Sequence, residues 1–133
     1  MISGVADTHT ALWYLLRNPR LSLAARTFIE DAARAGQAIG LSPISLAEIV
    51  YLVEKNRLPM SALEELKTAL ADPDCVITEA PFTAAVVDAM RRVPRSDIPD
   101  LPDRIVAATA IFLEVPVISR DGRIRSSTIK TIW

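Results

Sequence analysis

Few side chains in this sequence can do covalent chemistry alone. The 133 residues include one histidine, His9, and one cysteine, Cys75. That inventory excludes an internal disulfide and a zinc site built from several His or Cys. Carboxylates are the remaining resource, and five of them stand at places where elements begin or end. Asp7 follows a short apolar run, and Glu48 lies early in a helical stretch. Asp100 and Asp103 precede a long apolar helix, and Asp121 comes two residues after another apolar run. Carboxylates brought together repel and raise one another's pKa. A hard divalent cation, Mg²⁺ or Mn²⁺, relieves that repulsion through oxygen ligands. Such a metal can activate water and neutralise charge developing on a phosphodiester. Metal-assisted hydrolysis is therefore the chemistry this inventory supports best.

Whether the carboxylates meet depends on the elements that carry them. Short apolar runs predict strands at 2–6, 38–41, 75–78, 115–119 and 128–133. Helical periodicity predicts helices over 8–17, 22–35, 44–55, 61–71, 82–92 and 103–114. Ser22 suits the cap of the second helix and Gly36 its stop. Ser61 and Glu64 have capping-box spacing at the start of the fourth. Strands separated by helices require crossovers, so the fold class is α/β: a mainly parallel sheet of about five strands with helices on both faces. Ligands in such sheets bind outside the carboxyl ends of the strands. Asp7 and Asp121 fall on that rim and Glu48 near it. Asp103 joins them because its helix begins at the rim, and Asp100 adds a fifth carboxylate.

Each acid also has a purely structural reading. Asp7 can cap the first helix, and Ser45 with Glu48 has capping-box spacing. Asp100 and Asp103 repeat that three-residue spacing at a helix start. Asp121-Gly122 is a turn dipeptide. His9, Trp13, Tyr14 and Phe28 read as packing residues, not as ligands or base-stacking platforms.

Composition sets outer bounds. Hydrophobic residues make up 50% of the chain and charged residues 23%, the profile of a packed globular domain. The length suits a single domain over 1–133. The net charge of −1 argues against binding nucleic acid by bulk charge. The charge is uneven, however: residues 1–90 carry a net of −4 and residues 91–133 a net of +3. No apolar run suggests a membrane span, and the first residues lack a signal-peptide pattern. With one cysteine, a reducing cytoplasm is the expected compartment.

The motifs, taken in order, resemble those of the PIN-domain family. Val5-Ala6-Asp7-Thr8-His9-Thr10-Ala11-Leu12-Trp13 is similar to its first motif. Ser42-Pro43-Ile44-Ser45-Leu46-Ala47-Glu48-Ile49 is similar to the second. Asp100 to Ala110 resembles the third and Val117-Ile118-Ser119-Arg120-Asp121 the fourth. The resemblance implies a three-layer α/β/α fold and an Mg²⁺- or Mn²⁺-dependent endoribonuclease, most often the VapC-type toxin of a bacterial toxin–antitoxin pair. It implies Asp7, Glu48, Asp103 and Asp121 as catalytic and metal-binding acids. Thr8, Ser119 and Asp100 would support them, with Ser119 standing where the family often has Thr. Arg104, Arg120, Arg123 and Arg125 flank the two C-terminal acids and are the candidates for gripping RNA. An antitoxin protein and a second copy of the chain are the expected partners.

Two other phosphate chemistries fit less well. A phosphatase of the haloacid dehalogenase type would carry a second Asp at the position of His9. A receiver domain would need an adjacent acidic pair near the first strand. The non-enzymatic alternative is a PIN-like interaction module whose acids serve only as caps.

Overall fold

Five strands form one sheet in the computed structural model, which describes residues 1–133. They are β1 (Ile2–Ala6), β2 (Ala38–Leu41), β3 (Ile77–Glu79), β4 (Val117–Ile118) and β5 (Thr131–Ile132). Their order is β3-β2-β1-β4-β5, and every neighbouring pair is parallel. Helices make the crossovers: α1 (Thr8–Leu15) and α2 (Leu23–Arg34), then α3 (Pro43–Glu54) and α4 (Met60–Ala71). They are followed by α5 (Ala84–Ala89), α6 (Leu101–Leu113) and the short α7 (Gly122–Ser126). No helix is long and apolar enough to cross a membrane.

Side-chain alternation along the strands divides the core in two. Val5 and Val117 join Val86, Val93, Ile98, Val106 and Ile124 on one side of the sheet. Ala6 and Ile118 join Leu12, Ile29, Ile39, Leu41, Ile49 and Leu66 on the other. Burial on both faces explains why these strands are almost wholly apolar. Gly4 lets α2 approach β1, since a Cβ there would stand 2.8 Å from Phe28 Cε1.

Register places the site. Ala6 is paired with Leu41 on one side and with Ile118 on the other. Asp7, Ser42 and Ser119 therefore leave the sheet side by side at the carboxyl ends of β1, β2 and β4. Each starts the turn into a helix or the approach to one.

Several local expectations change. Ser42, not Ser45, caps α3, with its hydroxyl 3.3 Å from Ile44 N and Pro43 in the first turn. Pro favours the first helical position because its missing N–H is not needed there. Glu48 thus sits beyond the first turn and caps nothing. The spacing of Ser61 and Glu64 makes no box either, because α4 starts at Met60 after Pro59 without a side-chain cap. The third strand begins two residues late, at Ile77, because the 72–75 turn closes through Cys75 N to Asp72 O at 3.1 Å. Asp121-Gly122 opens α7 instead of making a simple turn. The 82–92 helix divides into α5 and a 3₁₀ turn, Met90–Arg92.

Candidate active site

The acids gather where the strands end and the helices begin. Asp7 caps α1, its Oδ1 accepting from Thr10 N at 2.9 Å. Its Oδ2 accepts from the hydroxyl of Ser119, which is itself fully buried. Ser119 Oγ in turn accepts from Asp121 N at 2.9 Å. Asp121 caps α7 through Oδ1, which takes Arg123 N at 2.9 Å and Ile124 N at 3.1 Å. Asp100 caps α6, its Oδ2 accepting from Asp103 N at 3.1 Å. The capping readings of Asp7 and Asp100 are therefore correct as far as they go, and Asp121 caps a helix where a turn is expected. Capping engages one oxygen of Asp100 and of Asp121 and leaves the other without a protein donor.

Glu48 and Asp103 complete the rim from the helices α3 and α6. Thr8 Oγ1 donates to Glu48 Oε1 at 2.6 Å, tying the start of α1 to α3. Burial raises the Glu48 pKa, and the charges of Asp100 and Asp7 add to the rise; the Thr8 bond and His9 oppose it. Asp103 is half-buried and its carboxylate accepts no hydrogen bond from the protein. Burial first, then the charges of Asp100, Asp121, Glu48 and Asp7, push its pKa up to about 7. All four other acids thus act on Asp103, so the structure brings the five together.

This donor set suits a hard cation. It offers only carboxylate oxygens, several of them unclaimed, in a place where mutual repulsion already hinders ionisation. No group of three or more His, Cys, Asp and Glu side chains is gathered tightly enough to hold a metal unaided. Magnesium fits that spacing, because it commonly keeps waters and takes only one or two carboxylates plus substrate phosphate.

The four arginines have different fates. Arg104 turns inward, and its Nη2 donates to Met90 O and Val93 O, both at 2.9 Å. Arg123 and Arg125 are exposed on α7, and Arg123 faces a hollow beside Ser96 and Asp97. Arg120 alone lines a cavity with Asp7 and Asp121. Two further residues carry the geometry without having been anticipated. Thr10 is buried and its Oγ1 donates to Ile118 O at 2.9 Å, locking α1 to β4. Arg20 enters the same cavity as Arg120 from the α1–α2 loop. The only sequence signal for Thr10 is its place three residues after a capping Asp, and Arg20 has none.

Fold and rim together define a class: a three-layer α/β/α domain that collects carboxylates at the carboxyl ends of a parallel sheet. A family model for the PIN domain matches residues 5–128. Ribonuclease VapC22 of Mycobacterium tuberculosis (strain ATCC 25618 / H37Rv) is 31% identical over 128 residues, covering 95% of this chain and 92% of that protein. The chain belongs to the PIN-domain family. Solved structures share its fold. VapBC2 from Rickettsia felis, bound to a DNA fragment from their promoter, superposes with a TM-score of 0.68 at 18% identity, with full coverage of both chains. DNA-bound VapBC from Salmonella typhimurium gives 0.69 at 16%, covering 98% of this chain and 97% of that one.

Proposed function

We propose that this protein is a divalent-metal-dependent endoribonuclease and the toxin of a toxin–antitoxin pair. Likeness to a VapC ribonuclease over nearly the whole chain supports the activity. The observation that carries the site is the convergence of five carboxylates on one rim, registered by the charges that raise Asp103. Asp7, Glu48, Asp103 and Asp121 would hold Mg²⁺ or Mn²⁺. Bound there, the metal would activate water and neutralise charge building on a phosphodiester.

The chain's own residues prepare that site. Ser119 and Thr10 N fix the Asp7 carboxylate, and Thr8 fixes Glu48. Orienting such ligands from behind is how a surrounding shell tunes metal affinity. Asp100 supports the set by capping the helix that presents Asp103 and by adding charge beside it. Arg120, Arg123 and Arg125 are exposed and free to meet RNA phosphates. Arg104 has its guanidinium engaged by two carbonyls and serves the scaffold.

The proposed protein partner is an antitoxin, because the fold neighbours include toxin–antitoxin complexes. An acidic rim suits occlusion by a basic side chain of that partner. A second copy of the chain is also proposed, through exposed Leu16 and Leu23 at the α1–α2 junction. Sedimentation at micromolar concentration should show a dimer, and a monomer overturns that part.

RNA cleavage by the purified protein tests the activity. Cleavage in Mg²⁺ or Mn²⁺, abolished by chelator and by Asp7→Asn, is expected. Cleavage that survives both overturns the mechanism, and a folded wild type that never cleaves RNA favours the interaction-module alternative.

A further inference from the structure

Beside the acids lies a cavity of about 440 Å³ lined by Asp7, His9, Trp13, Arg20, Arg120 and Asp121 with Gly122. Its lining carries both signs of charge, two carboxylates and two arginines. Yet neither arginine forms an ion pair, since the chain's ion pairs are Arg34–Asp31 and Arg91–Asp88. Neither side chain makes a hydrogen bond within the protein either. Both arginines are exposed, so their donors remain available to a ligand.

Trp13 is the side chain that holds Arg120. Its indole is 8% exposed and sits among tilted aromatic neighbours, His9 at 5.6 Å and Trp133 at 6.0 Å between ring centroids. The Arg120 guanidinium lies over that indole, 4.8 Å from the ring centroid. A guanidinium stacked on an aromatic face engages its plane and leaves its N–H donors free around the edge. The backbone of Trp13 also anchors the loop of Arg20. Trp13 O accepts from Asn18 N at 2.8 Å, and Asn18 Oδ1 accepts from Arg20 N at 2.9 Å. Buried Leu21 then pins the loop to the core. The Trp13 ring thus holds the Arg120 guanidinium, and its carbonyl helps to tie down the loop that carries Arg20.

We infer that Arg20 and Arg120 form a subsite for the RNA phosphate next to the one cleaved, with the Trp13 ring positioning Arg120. This rests on the ribonuclease reading of the rim. An RNA strand brings a negative charge at every nucleotide, so the phosphate beside the scissile one must pass close to Asp7 and Asp121. The two arginines in the same lining offset that repulsion. Guanidinium forks match phosphate geometry and bind it with charge-assisted hydrogen bonds. His9 is exposed in the same lining, where the sugar or base of that nucleotide would meet it.

The test uses a short fluorescein-labelled single-stranded RNA whose cleaved bond has been mapped. Wild type, Arg20→Ala, Arg120→Ala, Arg120→Lys and Trp13→Phe are compared on this RNA. They are also compared on versions in which the linkage on either side of the cleaved bond is an uncharged methylphosphonate. For the wild type, neutralising one of those two linkages should lower kcat/KM about five- to tenfold, as should either alanine variant on the native RNA. The alanine variants should be indifferent to the same neutralisation, which a merely structural defect would not produce. Arg120→Lys and Trp13→Phe should both fall between wild type and Arg120→Ala, since ammonium keeps the charge without the guanidinium plane and the smaller ring gives Arg120 less surface. In binding, each alanine variant should flatten the salt slope of log Kd by about 0.7, the value for one single-strand phosphate contact. Equal sensitivity of wild type and variants to both linkages overturns the subsite while leaving the ribonuclease intact. If the wild type cleaves no RNA, the ribonuclease reading falls and the subsite is judged by RNA binding alone. Unchanged Kd and salt slope in both alanine variants, or no RNA binding at all, then overturn it as well.

Discussion

On the strand side of the rim, Asp7 and Asp121 rest on backbone amides and on the hydroxyl of Ser119, and Arg120 lies outward on an indole. On the helix side, Asp103 accepts no hydrogen bond and has a pKa near 7, while Glu48 holds to one threonine. The helix side also contains the chain's two buried polar side-chain atoms without partners, Ser45 Oγ and Arg104 Nε. They lie on α3 and α6, which pack against each other. Both strand-side carboxylates are therefore held by protein donors before any ligand arrives, with one Asp121 oxygen left over, whereas on the helix side Asp103 has no donor at all. Polar groups at strand ends find amides from the helix that follows, whereas side chains from within a helix cannot use amides already bonded in their own helix. The unsatisfied half is where a cation has most to relieve.

The largest effect should come from Asp103→Asn. Removing the carboxylate with no other partner should lower metal-dependent cleavage by more than about a hundredfold, since even residues behind metal ligands cost 10–100-fold. The amide should leave the fold intact, as circular dichroism would show. Activity within about tenfold of wild type would move the metal to the strand side and reverse the comparison.

Two arginines that adjoin rim acids in sequence sharpen it further. Arg104 follows Asp103 and Arg120 precedes Asp121, and the sequence treats them alike as RNA contacts. The structure separates them, because consecutive helical residues point about 100° apart. Asp103 takes the rim, and Arg104 takes the carbonyls of the 90–93 turn. Arg104→Ala should cost about 2 kcal/mol in urea denaturation, by the usual worth of hydrogen bonds to a charged group. Arg120→Ala, on an exposed side chain, should change stability by less than about 0.5 kcal/mol. Equal losses would mean that Arg120 is scaffold too.

A pH series probes the same contrast without a mutation at the outset. In metal-free protein, Asp103 binds its proton more tightly folded than unfolded, about 7 against 3.8. Folding is therefore favoured by protonation: the benefit is complete below about pH 4, declines as pH rises, and is gone above about pH 7. Raised Glu48 works in the same direction. Because Asp103 is only half-buried, solvent screening reduces the effect to about 1–2 kcal/mol. Chemical denaturation at both ends of that window checks it. Asp103→Asn should flatten the profile and saturating Mg²⁺ should remove it, whereas a profile unchanged by the variant would place the titration elsewhere.

Much of this contrast was legible in the sequence. Apolar runs and caps marked β1, β2, α1 and α2, because local composition decides those ends. Strand ends then gave Asp7 and Asp121 by rule. What local patterns could not give was contact across long separations. Ser119 meets Asp7 from 112 residues away, Thr8 meets Glu48 from 40, and Arg20 shares a cavity with Arg120. Spacing points to Ser45 as the cap of α3, and the structure chooses Ser42.

That choice yields the smallest and most local prediction. With Ser42 as the cap, Ser45 has no capping role, and its hydroxyl is fully buried without a partner. An unsatisfied buried hydroxyl forfeits its hydration, so replacing it with a methyl of similar shape removes a cost instead of a bond. Ser45→Ala should therefore stabilise the protein by up to about 1 kcal/mol, a rise in Tm of a few degrees. Metal-dependent cleavage should stay within twofold of wild type, roughly the error of such assays, because Glu48 keeps its bond to Thr8. A loss of stability instead would mean that Ser45 donates to a group on α6. The helix side of the rim would then lose one of its two unpartnered buried atoms, and the distinction between the two sides would rest on Asp103 and Arg104 Nε.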